Sequence, residues 1–197
     1  SLSTEPEALK GLDGRTWGVT SGAPAPADLD RLKKAGCDFV VPEGEDGPAV
    51  LLRDDDMARG YTVDTSLTEE KARALEYLPI DFLILEAPAD LWPLKLSGLL
   101  KLQSTISLVS RHILLRVSAA PGEDDLVALR DLPVDGLLVD LEAVSAAEVK
   151  KIRARLDALP PRKPRSGGKT DATLPPATGQ PAGHGHDEEW DDDWDDE

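Results

Sequence analysis

Residues 78–86 read LPIDFLILE and residues 132–142 read LPVDGLLVDLE, the second close to a restatement of the first. AGCDFVVPE at 35–43 follows the same plan: Gly or Pro closing a helical pattern, one apolar residue or Cys, an Asp, a short apolar run, and an acid. The spacing from Asp to closing acid is five residues each time, Asp38 to Glu43, Asp81 to Glu86 and Asp135 to Asp140. Side chains alternate along a strand, so 39/41/43, 82/84/86 and 136/138/140 are expected on equivalent faces of three equivalent strands. The runs FVV, FLIL and GLLV are continuously apolar. That suits strands covered on both faces, as in a parallel sheet, better than a half-exposed antiparallel one.

Three more strand patterns lie between these, TWGVT at 16–20, GYTVDTS at 60–66 and HILLRVS at 112–118. Helical patterns separate them: PADLDRLKKAG, TEEKARALEYL, LKLSGLLKLQSTISLVS, EDDLVALRDL and SAAEVKKIRARLDAL. Thr68 and Ser145 are expected N-caps, and Glu148, three residues after Ser145, completes the spacing of a capping box. Strand and helix are read as alternating throughout, which implies right-handed crossovers and a parallel sheet. The fold expected is α/β, a partial (β/α)8 barrel; the alternative is a six-stranded doubly wound open sheet. The junctions AGCDFVV and LPVDGLLV resemble the GAD strand entries common in (β/α)8 barrels. That resemblance covers about residues 16–158 and implies a fold, with no particular chemistry.

Residues 4–10 are read as a helix preceding the first strand, as though the chain begins within a repeat, and the first residue is Ser rather than Met, which points to a fragment or a processed product. A length of 197 residues with 40% apolar content fits one soluble α/β body, assigned to residues 1–159. Beyond it the composition turns to Pro, Gly, Ser and Thr, and residues 160–186 are expected to be a disordered linker, since too little apolar surface is present to offset the entropy of ordering. The remainder, DEEWDDDWDDE at 187–197, is an acidic tail. It holds nine of the 38 acidic side chains, which leaves 29 against 22 basic ones and reduces the formal charge from −16 to −7. A mildly acidic body lacks the basic footprint that nucleic acid or an anionic membrane requires. Cys37 is the single cysteine, so no disulfide framework exists within the chain and a reducing, cytoplasmic setting is expected. The apolar stretch 94–117 is interrupted by Lys95, Lys101, Arg111, His112 and Arg116, too many charges for a membrane span.

In parallel α/β folds chemistry sits at the carboxyl ends of the strands. Glu43, Glu86 and Asp140 fall there by register, and Asp64 ends its own strand comparably. Carboxylates converging on one mouth repel unless a cation neutralises them, so Glu43, Glu86 and Asp140 are candidate ligands for Mg²⁺ or Mn²⁺. Asp64, Glu86 and Arg116 are the candidate catalytic groups, with Arg116 placed to pair the acids or hold a small oxygen-rich substrate. The same acids can equally cap the βα turns that follow, or form a solvated network balanced by Arg116, without catalysis. The loops SAAPGEDD and DLEAVSAAE offer acids where a phosphate-binding barrel offers glycines, and SGGKT at 166–170 has Lys163 where a P-loop needs Gly. His112 opens its strand at the amino end and is expected to be structural. HGH at 184–186 is a weak metal pattern. In the tail, Trp190 and Trp194 stand four apart, so a helix formed on a partner would carry both indoles on one side for docking on a basic protein surface.

Overall fold

The computed structural model describes residues 14–22, 26–53 and 55–161. The helix expected at 4–10, the tail with Trp190 and Trp194, and all of the linker beyond residue 161 lie outside the described residues. Strands and helices follow in the order β1 (Gly18–Ser21), α1 (Pro26–Lys34), β2 (Phe39–Pro42), β3 (Ala58–Asp64), α2 (Glu69–Glu76), β4 (Phe82–Glu86), α3 (Leu96–Ile106), β5 (His112–Val117), α4 (Glu123–Arg130), β6 (Gly136–Val139) and α5 (Ala146–Ala158). All five strand pairings are parallel and the sheet order is β1-β2-β3-β4-β5-β6. The six expected strands are all present. The sheet is open, with β1 and β6 as its edges among the described strands, and it is wound serially, as a barrel sheet is.

The repeated Asp has a physical task. Asp38 Oδ2 accepts from the Trp17 N–H at 2.9 Å, while the Asp38 N–H donates to the Trp17 carbonyl at 2.8 Å. Asp81 does the same to Arg59, at 2.7 and 2.8 Å, and Asp135 to Ile113, at 2.7 and 2.8 Å. Each Asp thus binds both main-chain groups of one residue at the entry of the preceding strand. The second strand of each pair is pinned to the first, β2 to β1, β4 to β3 and β6 to β5. The unit of repetition is therefore a strand–crossover–strand pair, a quarter of a barrel, present three times.

Register then sets the curl. Val40 pairs with Arg59, which puts Glu43 level with Thr62; Thr62 pairs with Ile84, Ile84 with Leu114, and Leu114 with Gly136. Position 43 therefore stands level with 136, although its counterpart in the repeat is 140. The slip is 140 minus 136, four residues over the four strand steps from β2 to β6. One residue per strand is the stagger of a (β/α)8 barrel, whose shear is 8 over eight strands.

One face of the sheet carries the core. Val19 pairs with Val40, Tyr61 with Leu83, Leu83 with Ile113 and Leu115 with Leu137, all on the same face. Against that face pack Leu29 and Leu32 of α1, Leu75 of α2, Leu102 and Ile106 of α3, and Leu129 of α4. The caps form as expected: Thr68 accepts from the Lys71 N–H, and Ser145 and Glu148 complete their reciprocal box. The concave face closes on itself. Phe39 meets Phe82 edge to face, with centroids 5.5 Å apart, across the intervening strand. Gly60 makes that contact possible, since a Cβ there would lie 2.5 Å from Phe82 Cζ and 2.8 Å from Val41 Cγ2.

The alternation of strand and helix fails at one crossover. Among the described residues between β2 and β3 the one helical element is a 3-10 turn, Ala49–Arg53. The segment EGEDGPAVLLRDDDM carries Gly44 at φ 72°, Gly47 and Pro48, which leave AVLLR as its only apolar run. Leu51 of that turn joins Leu29 and Leu32 of α1 against Val40 of β2.

Two measurements test this account. Gly60→Ala should cost about 1–3 kcal/mol by forcing the Phe82 ring aside; an unchanged urea midpoint would remove the ring contact from the core. Asp81 sits below the ordinary carboxylate range, chiefly through its hydrogen bond from the Arg59 side chain. A depressed carboxylate contributes stability that is present above about pH 4 and lost as pH falls through its folded value. Asp81→Ala should lower stability at pH 7 by about 1–2 kcal/mol, and the gap from wild type should narrow in unfolding titrations carried below about pH 4.

Candidate functional site

The carboxyl ends of β3, β4 and β5 place three side chains in a row. Asp64 is the register partner of Glu86, and Glu86 of Arg116. All three point to the concave face, opposite the packed helices. Glu86 Oε1 lies 3.4 Å from Arg116 Nη1, and both side chains are 48% exposed, so the pair is solvated and each partner retains open hydrogen-bonding positions.

Asp64 is committed locally. Its Oδ1 accepts from the Ser66 N–H at 2.7 Å and from the Ser66 hydroxyl, the geometry of an Asx turn leading into α2. The Ser66 hydroxyl is the largest of the influences that hold the Asp64 carboxyl below its ordinary value; the positive charges of Lys71 and Lys101 add to it. A carboxylate stabilised in this way is a poor proton acceptor near neutral pH, the reverse of the tuning that a general base requires.

Asp140 is also a turn residue, accepting from the Glu142 N–H at 2.9 Å. Glu43 is exposed just beyond β2, and its N–H donates to the Ser21 carbonyl at 2.9 Å. Glu43, Glu86 and Asp140 occupy equivalent positions on β2, β4 and β6, with one strand between successive members. Among the described residues no group of three or more His, Cys, Asp or Glu side chains is placed to hold a metal ion.

His112 lies at the amino end of β5 with Nδ1 3.4 Å from Asp135, far from the carboxyl-end rim along the strand. Cys37 is buried, and burial pushes its thiol up, away from a reactive thiolate. Ser66, Lys71 and Lys101 act on the rim as well, through Asp64. Ser66 was visible as the second residue after an Asp at a strand end, the Asx-turn spacing; the reach of the two lysines to Asp64 depends on how the helices return over the sheet.

What these features define is a serially wound parallel α/β protein whose carboxyl-end rim is polar and rich in carboxylates, one of them paired with Arg116. No protein-family model matches the chain, and no curated protein matches it in sequence. Among the described residues no helix is long and apolar enough to cross a membrane.

Proposed function

We propose that the chain is an adaptor, an α/β body carrying an acidic segment at residues 187–197 that docks on a basic protein surface. The observation that carries this reading is the pair Trp190 and Trp194 set among nine acidic residues. Charge alone keeps a chain soluble, and exposed indoles contribute nothing to that. Two aromatic anchors within an acid block are suited to a grooved basic partner: the acids steer the encounter and the indoles supply buried area. The state of the rim supports the same reading, because Glu86 is balanced by Arg116 and Asp64 is held ionised by its own turn.

A second reading places a small oxygen-rich molecule at the rim, with Mg²⁺ or Mn²⁺ assisting. The adjacency of Asp64, Glu86 and Arg116 on three neighbouring strands favours it, since together they offer acceptors and donors to one polar ligand.

For the adaptor, full-length chain, a chain ending at Leu159 and a Trp190→Ala/Trp194→Ala double variant are compared as baits. Basic partners should be retained by the first, lost from the second and reduced at least tenfold in the third, with retention weakening as salt rises. Identical partner sets for all three would end the proposal. For the rim, Mg²⁺ or Mn²⁺ should raise the melting temperature of the wild type and leave Glu86→Gln unmoved; wild type that ignores both ions removes the second reading.

A further inference from the structure

Where the β2–β3 crossover lacks a helix, a cleft of about 450 Å³ opens on the helical face, between the 3-10 turn and α2. Leu52, Tyr61, Leu75, Leu78 and Ile80 are among the residues that line it, and its polar groups gather at one side, where Lys71 of α2 meets Glu45 of the β2–β3 loop. The Lys71 ammonium pairs with the Glu45 carboxylate and stands 5.9 Å from the centroid of the Tyr61 ring. An apolar hollow of this size with a single convergent charged cluster has the make-up of a small-molecule site.

The two partners of the ion pair are not held alike. Lys71 rises from a helix capped by Thr68, stands over the Tyr61 ring and is 43% exposed. Glu45 follows Gly44, whose φ is 72°, precedes Gly47 by two residues, and is 71% exposed. The carboxylate is therefore the partner that can leave. Its departure would present a positioned ammonium at the mouth of an apolar cleft.

We infer that this cleft binds a small molecule with an apolar body and one carboxylate, whose head group takes the place of Glu45 on Lys71. Glu45 acts as a built-in competitor, keeping the ammonium paired while the cleft is empty. A cationic amphiphile is the disfavoured ligand, since pairing with Glu45 would draw that side chain away and leave the Lys71 ammonium without its carboxylate beside an apolar wall.

The probe is decanoate, titrated into the full chain below its micelle concentration and followed by calorimetry and by backbone amide shifts in Tyr61 and Leu75, with decylammonium of equal chain length as the control. Decanoate should bind saturably at least tenfold more tightly than decylammonium. Glu45→Gln should tighten decanoate several-fold by removing the competitor, and Lys71→Met should weaken it about tenfold. Ala74→Trp, at an exposed helical position lining the cleft, should abolish binding with circular dichroism unchanged. Non-saturable binding, equal binding of decylammonium, weaker binding by Glu45→Gln, or indifference to Lys71→Met overturns the inference.

Discussion

Three aspartates set the geometry from which everything else follows. Asp38, Asp81 and Asp135 each take both main-chain groups of a residue in the preceding strand, the N–H through the carboxylate and the carbonyl through their own N–H. A parallel strand pair held at a single point could still slide, and a slip of one residue would exchange every buried side chain with its neighbour on the other face. A two-point clamp at the entry of every second strand removes that freedom. It is placed where the helix hands the chain back to the sheet, so pairing and crossover are fixed together.

With the register of the β2–β3 and β4–β5 pairings, the clamped pairs give a stagger of one residue per strand, the stagger of a barrel sheet. Curling brings Phe39 against Phe82 over Gly60, a contact between side chains on alternate strands that a flat sheet would not allow. The small residue under two large ones is the alternation by which barrel interiors are filled. Register between β3, β4 and β5 sets Asp64, Glu86 and Arg116 side by side at the carboxyl ends, where Arg116 offsets one of the two carboxylates. Glu43 and Asp140 belong to the same set of repeat positions, and among the described residues no group of three or more acids is placed to hold a metal ion.

The helical layer is less regular than the sheet, and that irregularity produces the second feature of the molecule. A sheet face covered by helices leaves little room for a ligand, because helices pack tightly in the furrows above the strands. Replacing one helix by a 3-10 turn opens that layer beside α2, while β2 and β3 stay paired beneath it through Phe39–Ala58 and Val40–Arg59. Lys71 and Glu45 then meet across the gap, one on a rigid element and one on a glycine-bearing loop.

Strand existence, strand direction and the equivalence of the repeats were legible in the sequence, because continuous apolar runs and a five-residue Asp-to-acid spacing are local properties written by the alternation of side chains along a strand. The caps at Thr68 and Ser145 were legible for the same reason, since the donor and acceptor lie within three residues. The task of the repeated Asp was not legible, for its partners lie 21 or 22 residues away and only the crossover brings them together. Equivalent register puts Glu43, Glu86 and Asp140 at one kind of position, but how near such positions come to one another is set by the stagger and curl of the whole sheet. The missing helix hides in the sequence for a related reason, because a glycine-rich crossover reads as a loop in either case. Whether that loop leaves an open cleft is decided by how α2 and the 3-10 turn pack on the sheet. The chain alone determined which residues could form strands and what each strand end would carry; the tertiary structure decided which of those ends stand close enough to act on one another, because proximity across a sheet is a sum of register, tilt and crossover that no local stretch contains.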